Sequence, residues 1–176
     1  MALDAFCPQD YQQLIDWINS PELNYLWGGP AYDFPLTTQQ IEYHLSNSQV
    51  SAYLYRDESE AIGYIELFET SADTARVCRV FVSPKFRGRG AAKSMLEQLE
   101  TISITRGYQT LDLCVFSHND SAIRCYQQLG FEEIKRELGT RSFEGENWEL
   151  LYMRKSLGAT QSQSSNEQRN APIRAR

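Results

Sequence analysis

Three stretches that alternate apolar and polar side chains follow one another closely: VSAYLYR from Val50, AIGYIELFE from Ala61 and ARVCRVFVS from Ala75, with only DESE and TSADT between them. Alternation with period two is the mark of a half-buried strand. Connections this short cannot hold the crossover that parallel neighbours need, so the three runs form an antiparallel meander. The third run then passes through SPKFRGRG into AAKSMLEQLETISITRG, where Met95, Leu96, Leu99 and Ile102 share a helical face and Gly107 marks the stop. A strand that gives way to a helix through a turn with two glycines and two arginines is suited to an anion. The first N–H groups of the helix lack internal partners, and the helix dipole favours negative charge there.

The flanks extend the pattern. ALDAF reads as a short first strand, PQDYQQLIDWINS as an amphipathic helix with Pro8 at its start, and TTQQIEYHLSN as a helix opened by Thr37 and Gln40 at capping-box spacing. Between the two helices, LNYLWGGPAYDFPL is aromatic and broken by Gly and Pro, and reads as a shaped loop. Downstream, YQTLDLCVF reads as a strand, NDSAIRCYQQLG as a helix capped by Asn119 and ended by Gly130, and FEEIKREL with NWELLYMRKSL as a closing strand pair. One domain over residues 1–157 is expected. The stretch 158–176, GATQSQSSNEQRNAPIRAR, has almost no large apolar residue to offset its ordering entropy and reads as a disordered polar tail.

Composition excludes several classes. A net charge of −6 argues against a nucleic-acid partner. No apolar run approaches the roughly 18–20 residues of a membrane span, and MALDAFCPQD lacks a signal-peptide pattern, so a cytoplasmic protein is expected. Cys7, Cys78, Cys114 and Cys125 have no CxxC or metal-type spacing, which points to buried free thiols and to no metal site. The P-loop pattern fails at Ala92, where glycine is required before Lys93-Ser94. The dinucleotide fingerprint read from Gly88 fails at Lys93.

Two motifs carry a resemblance. Arg87-Gly88-Arg89-Gly90-Ala91-Ala92 resembles [RQ]-x-x-G-x-[GA], the acyl-CoA pyrophosphate motif of the GNAT superfamily of N-acetyltransferases, and it follows a strand as it does there. NDSAIRCYQQLGF resembles N-x-x-A-x-x-x-Y-x-x-x-G-F of the same family, with Asn119, Ala122, Tyr126, Gly130 and Phe131 in register. The resemblance covers about residues 50–157 well, and the N-terminal part only by order of elements. It implies an α+β fold, a three-layer α/β/α sandwich around a mixed, mostly antiparallel sheet splayed between the strand before the turn and the strand from Tyr108. It also implies acetyl-CoA as cosubstrate and an amine acceptor, either a small molecule or a protein.

The resemblance assigns roles as well. Arg87, Gly88, Arg89, Gly90, Ala91, Ala92 and Lys93 hold the pyrophosphate, the main chain of Phe81 and Val82 pairs with pantetheine, Asn119 orients it, and Tyr126 protonates the departing thiolate. Tyr126 also has a plain reading as a packed core aromatic. Where many relatives carry a glutamate before the turn, this chain has Arg76, which removes the obvious general base. Glu66 is the nearest alternative, set against a reading as a solvent-facing strand residue. Asp33, Glu22, His118 and water are further candidates. Trp27, Tyr32 and Phe34 are expected on the acceptor wall or, equally, in an apolar cap over the sheet. Arg79 either binds an acceptor carboxylate or pairs with a carboxylate on a neighbouring strand. Two other classes stay open: a non-catalytic acyl-CoA sensor, favoured by Arg76, and a nucleotide-binding enzyme. A monomer and a homodimer fit equally.

Overall fold

The computed structural model describes residues 1–58 and 60–158. β1 (Ala2–Ala5) is followed by a 3-10 turn at Pro8–Asp10 and three short helices, α1 (Tyr11–Trp17), α2 (Pro21–Gly28) and α3 (Thr38–Leu45). The meander comes next: β2 (Val50–Asp57), β3 (Glu60–Glu69) and β4 (Thr74–Val82), then helix α4 (Ala91–Thr105). β5 (Thr110–Phe116), α5 (Asp120–Gln128), β6 (Glu132–Glu137), the hairpin β7 (Ser142–Phe143) with β8 (Glu146–Asn147), and β9 (Leu150–Ser156) complete the chain. Seven strands form one sheet in the order β1-β2-β3-β4-β5-β9-β6, in which β4 and β5 are parallel and the other neighbours antiparallel.

The sheet is covered on both faces. On one, α1, α2 and α3 pack Leu14, Trp27 and Ile41 over Leu54, Tyr64 and Phe81. On the other, α4 and α5 pack Met95, Leu99 and Tyr126 over Ile65, Val77 and Leu113. This is the expected three-layer sandwich. Of the expected α4 face, Ile102 is only partly buried; Ser103 takes the buried position, its hydroxyl donating to Leu99 O at 2.7 Å.

Three expectations are corrected. The aromatic stretch after Leu23 is not all loop, because α2 runs through it to Gly28. Ser20 caps this helix by accepting from Leu23 N, Pro21 occupies the first turn, and Gly29 at φ 58° ends it. The capping box of α3 is half formed: Thr37 accepts from Gln40 N, while the Gln40 amide turns away to Asp33 N and Pro35 O and ties down the loop before the helix. The cysteines are free, but none is fully buried as a residue: Cys114 is exposed and the others are half-buried. The tail, apart from Gly158, lies outside the described residues.

Candidate active site

β4 and β5 pair only from Thr74–Thr110 to Val77–Leu113, although β4 continues to Val82 and β5 to Phe116. Two residues past the last pair, β4 bulges: Arg79 adopts φ 51°, and the β3–β4 register slips between Tyr64 and Glu66. A bulge bends and twists its strand, which here turns β4 away from β5 and opens a cleft of about 380 Å³ between them. The β5-side edge of β4 over residues 78–82 is therefore without a partner strand, and Cys78, Arg79 and Val80 of it line the cleft.

Trp27 donates its indole N–H to Arg79 O at 2.9 Å, and the Arg79 guanidinium lies over the Tyr32 ring. Arg79 Nη1 also donates to Glu66 Oε2 at 2.6 Å. Of the two roles expected for Arg79, the carboxylate pair on a neighbouring strand is thus formed, and Arg79 still lines the cleft. Glu66 is 0 % exposed, which corrects its reading as a solvent-facing strand residue. Its carboxylate also meets His44 Nε2 at 2.9 Å and the Tyr64 hydroxyl at 2.6 Å. Burial pushes the Glu66 carboxyl up, but His44, Arg79 and Tyr64 outweigh it and hold it below its ordinary value. A carboxylate so engaged is a weak base, and Glu66 is not among the residues lining the cleft.

At the far end of β4, a 3-10 turn at Pro84–Phe86 leads to Gly88 and Gly90, both in the left-handed region at φ 71° and 79°. A Cβ on either would meet nothing within 4 Å, so glycine is needed there for backbone conformation rather than for space. The ladder of α4 begins at Ser94 N, which donates to Gly90 O, and no side chain caps the helix. The N–H groups of Ala91, Ala92 and Lys93 are left as free donors. Arg89 and Arg87 are exposed beside them, the latter donating from Nε to Val82 O at 3.0 Å, and Lys93 lies 3.9 Å from Glu97.

Tyr126 projects from α5 into the cleft, 7 % exposed and edge-on to Phe131, its hydroxyl without a partner among the described residues. Burial pushes its pKa well up, so the hydroxyl keeps its proton at neutral pH. Asn119 lines the same cleft; its carbonyl is occupied in capping α5, accepting from Ala122 N, and its amide donors stay available.

Of the other expected residues, Trp27 lines the cleft and stacks on buried Tyr32 at 5.4 Å, whereas Phe34 is 42 % exposed and lies outside it. Glu22 and Asp33 are exposed and do not line it, and His118 is exposed, stacked on Phe116 and edge-on to Trp148. The sequence reading missed Cys78, Cys114, Arg141 and Tyr152 as lining residues and saw Arg76 only as a missing carboxylate. For Arg76 and Cys78 the alternation along β4 was a usable signal; for Arg141, carried over by the loop after β6, no local pattern existed. Burial pushes the Cys78 thiol up to about 12, so it is a poor nucleophile. Among the described residues, no group of three or more His, Cys, Asp or Glu is placed to hold a metal, and no helix is long and apolar enough to cross a membrane.

The model of the acetyltransferase (GNAT) family matches residues 11–131. Among solved structures, the fold is similar to spermidine N-acetyltransferase from Vibrio cholerae in complex with CoA and spermine, with TM-score 0.77 and 18 % identity over 89 % of this chain and 95 % of that one. It is also similar to ribosomal-protein-alanine N-acetyltransferase from Brucella melitensis (TM-score 0.74, 17 % identity, 89 % and 99 % covered). A third is yncA from Salmonella typhimurium with its cofactor acetyl-CoA (TM-score 0.71, 17 % identity, 89 % and 94 % covered). At these identities the likeness concerns the fold.

Proposed function

The chain belongs to the GNAT acetyltransferase family, and from that premise we propose that it transfers the acetyl group of acetyl-CoA to a primary amine by direct attack in the cleft between β4 and β5. The supporting observation is a continuous one: the open β4 edge at residues 78–82 runs through Gly88 and Gly90 into the uncapped start of α4.

In this reading the pyrophosphate accepts from the N–H groups of Ala91, Ala92 and Lys93, with Arg87 and Arg89 beside it. Pantetheine lies along β4 as an added strand, pairing with the main chain of Phe81 and Val82 and steadied by the Asn119 amide. The thioester then sits near the bulge, opposite Tyr126. The acceptor arrives from the side of Trp27 and Tyr32.

A neutral amine attacks the thioester carbon, the carbon–sulfur bond breaks, and sulfur takes the Tyr126 proton. Burial disfavours the thiolate as it disfavours the tyrosinate, which keeps the transfer feasible despite the raised tyrosine pKa. The proton lost by the amine leaves through water, and Tyr126 is reprotonated from the same source. Glu66 serves instead to anchor Arg79. The poor nucleophilicity of Cys78 supports direct attack over an acyl-cysteine intermediate.

Calorimetric titration with acetyl-CoA, followed in the same sample by a free-thiol assay over a panel of amines, tests this reading. Binding with thiol release on one class of amine supports it. Binding without release on any amine is the behaviour of an acyl-CoA sensor, and absence of binding removes the cleft assignment.

A further inference from the structure

The cleft is lined by three arginines, Arg76, Arg79 and Arg141, and by no carboxylate. Arg79 is neutralised by Glu66. The other two have no ion-pair partner among the described residues. Arg76 Nε is buried with no hydrogen-bond acceptor, and Arg141 donates only from Nη1 to the neighbouring Thr140 carbonyl.

The acids able to neutralise them are engaged elsewhere. Asp112, beside Arg76 in the β4–β5 register, takes both prongs of Arg154 at 2.7 and 2.8 Å. Glu137 is held by Lys135 at 2.7 Å and by the Tyr152 hydroxyl at 3.3 Å. Arg76 and Arg141 line the same cleft wall as Cys114 and Tyr152. They are not placed for the phosphates of coenzyme A: at about 3.3 Å per residue, Arg76 lies roughly 20 Å along β4 from Val82, where the strand runs out toward α4.

A buried guanidinium donor without an acceptor is costly, and a planar fork of donors matches a carboxylate or phosphate. We propose that the acceptor is a small amine carrying an anionic group, carboxylate or phosphate, which Arg76 and Arg141 hold while the amine faces the thioester. This rests on the transferase reading and narrows it. A polyamine would bring cations against both arginines. With an anionic acceptor, the same positive field disfavours the ammonium form of the incoming amine, which supplies neutral nucleophile in a cleft that has no carboxylate base.

Matched pairs test the proposal: amino acids against their amides and decarboxylated amines, and phosphoethanolamine against ethanolamine, scored by thiol release. The anionic member of a pair is expected to have a kcat/KM at least about tenfold higher, the size of one charge-assisted bond. Arg76→Gln or Arg141→Gln collapses that ratio toward one. The pair that shows the preference tells carboxylate from phosphate. Preference for spermidine, or a ratio near one in the wild type, overturns the proposal. If coenzyme A binds and no amine reacts, the transferase reading fails separately. N-acetyl amino acids and their amides are then titrated into the coenzyme A-loaded protein, with calorimetry as readout. Binding selective for the anion and lost in Arg76→Gln supports the site, and unselective or absent binding overturns it. The two arginine variants lie on different elements, so misfolding of one leaves the other decisive.

Discussion

Arg79 and Glu66 meet across β3 and β4 with Nη1 2.6 Å from Oε2, and the arginine that makes this pair holds a left-handed backbone at φ 51°. For a residue with a Cβ, that conformation costs about 1–2 kcal/mol. The ion pair, the Trp27 bond to Arg79 O and the stack over Tyr32 hold the residue there, at the point where β4 parts from β5. A buried polar network thus shapes the cleft from behind.

Replacing Glu66 exposes what this network contributes. Removing one member of a buried ion pair typically costs about 3–5 kcal/mol, so Glu66→Leu is expected to lower the urea midpoint strongly and Glu66→Gln less. In Glu66→Gln the acidic limb of the kcat profile persists. Its disappearance would make Glu66 the general base.

The pH dependence of stability has a definite sign. Because the folded Glu66 pKa is lowered by His44, Arg79 and Tyr64 in excess of the opposing burial, its contribution is complete above the unfolded value of about 4.3. That contribution is lost as pH falls through the lower folded value. The part of the stability gap between wild type and Glu66→Gln that Glu66 itself supplies, measured by urea unfolding, should narrow as pH falls below about 4.3. A gap that does not narrow between about pH 4.3 and the acid limit of the native state would contradict the lowered pKa.

Tyr126→Phe removes a hydroxyl that has no partner among the described residues, so stability and acetyl-CoA affinity should change little. Single-turnover rates should fall by about 10²–10⁴-fold, the usual range for a general acid. An unchanged chemical step would take Tyr126 out of the mechanism.

Two glycines separate two physical causes. A Cβ at Gly63 would lie 2.5 Å from Phe81 O, pressing on the paired β3–β4 backbone, whereas at Gly90 it meets nothing and only φ is strained. Gly63→Ala should therefore be the more destabilising in thermal unfolding. At Gly90, Asn should be tolerated better than Val, since Asn adopts left-handed backbone more readily. Equal effects of Asn and Val would contradict the conformational reading.

What the sequence made legible was local. Asn119 before an apolar-periodic run and Gly130 after it bound α5 as expected, and the polar turns between the three alternating runs gave the meander its antiparallel order. Ser20-Pro21 is also a local start signal, for α2, which the reading of the following stretch as a loop did not use. The unreadable features arise from register and distance. The positive φ of Arg79 comes from a slip against β3, Glu66 is buried by His44 from α3 and Arg79 from β4, and Arg141 reaches the cleft on the connection between β6 and β7. No window of neighbouring residues contains those facts.

Amide hydrogen exchange with and without acetyl-CoA tests the assignment of the cleft most directly. Added protection concentrated at residues 78–82 of β4 and 91–93 at the start of α4 is expected, because those N–H groups are the ones proposed to meet pantetheine and pyrophosphate. Binding that protects other segments and leaves these two unchanged would contradict it.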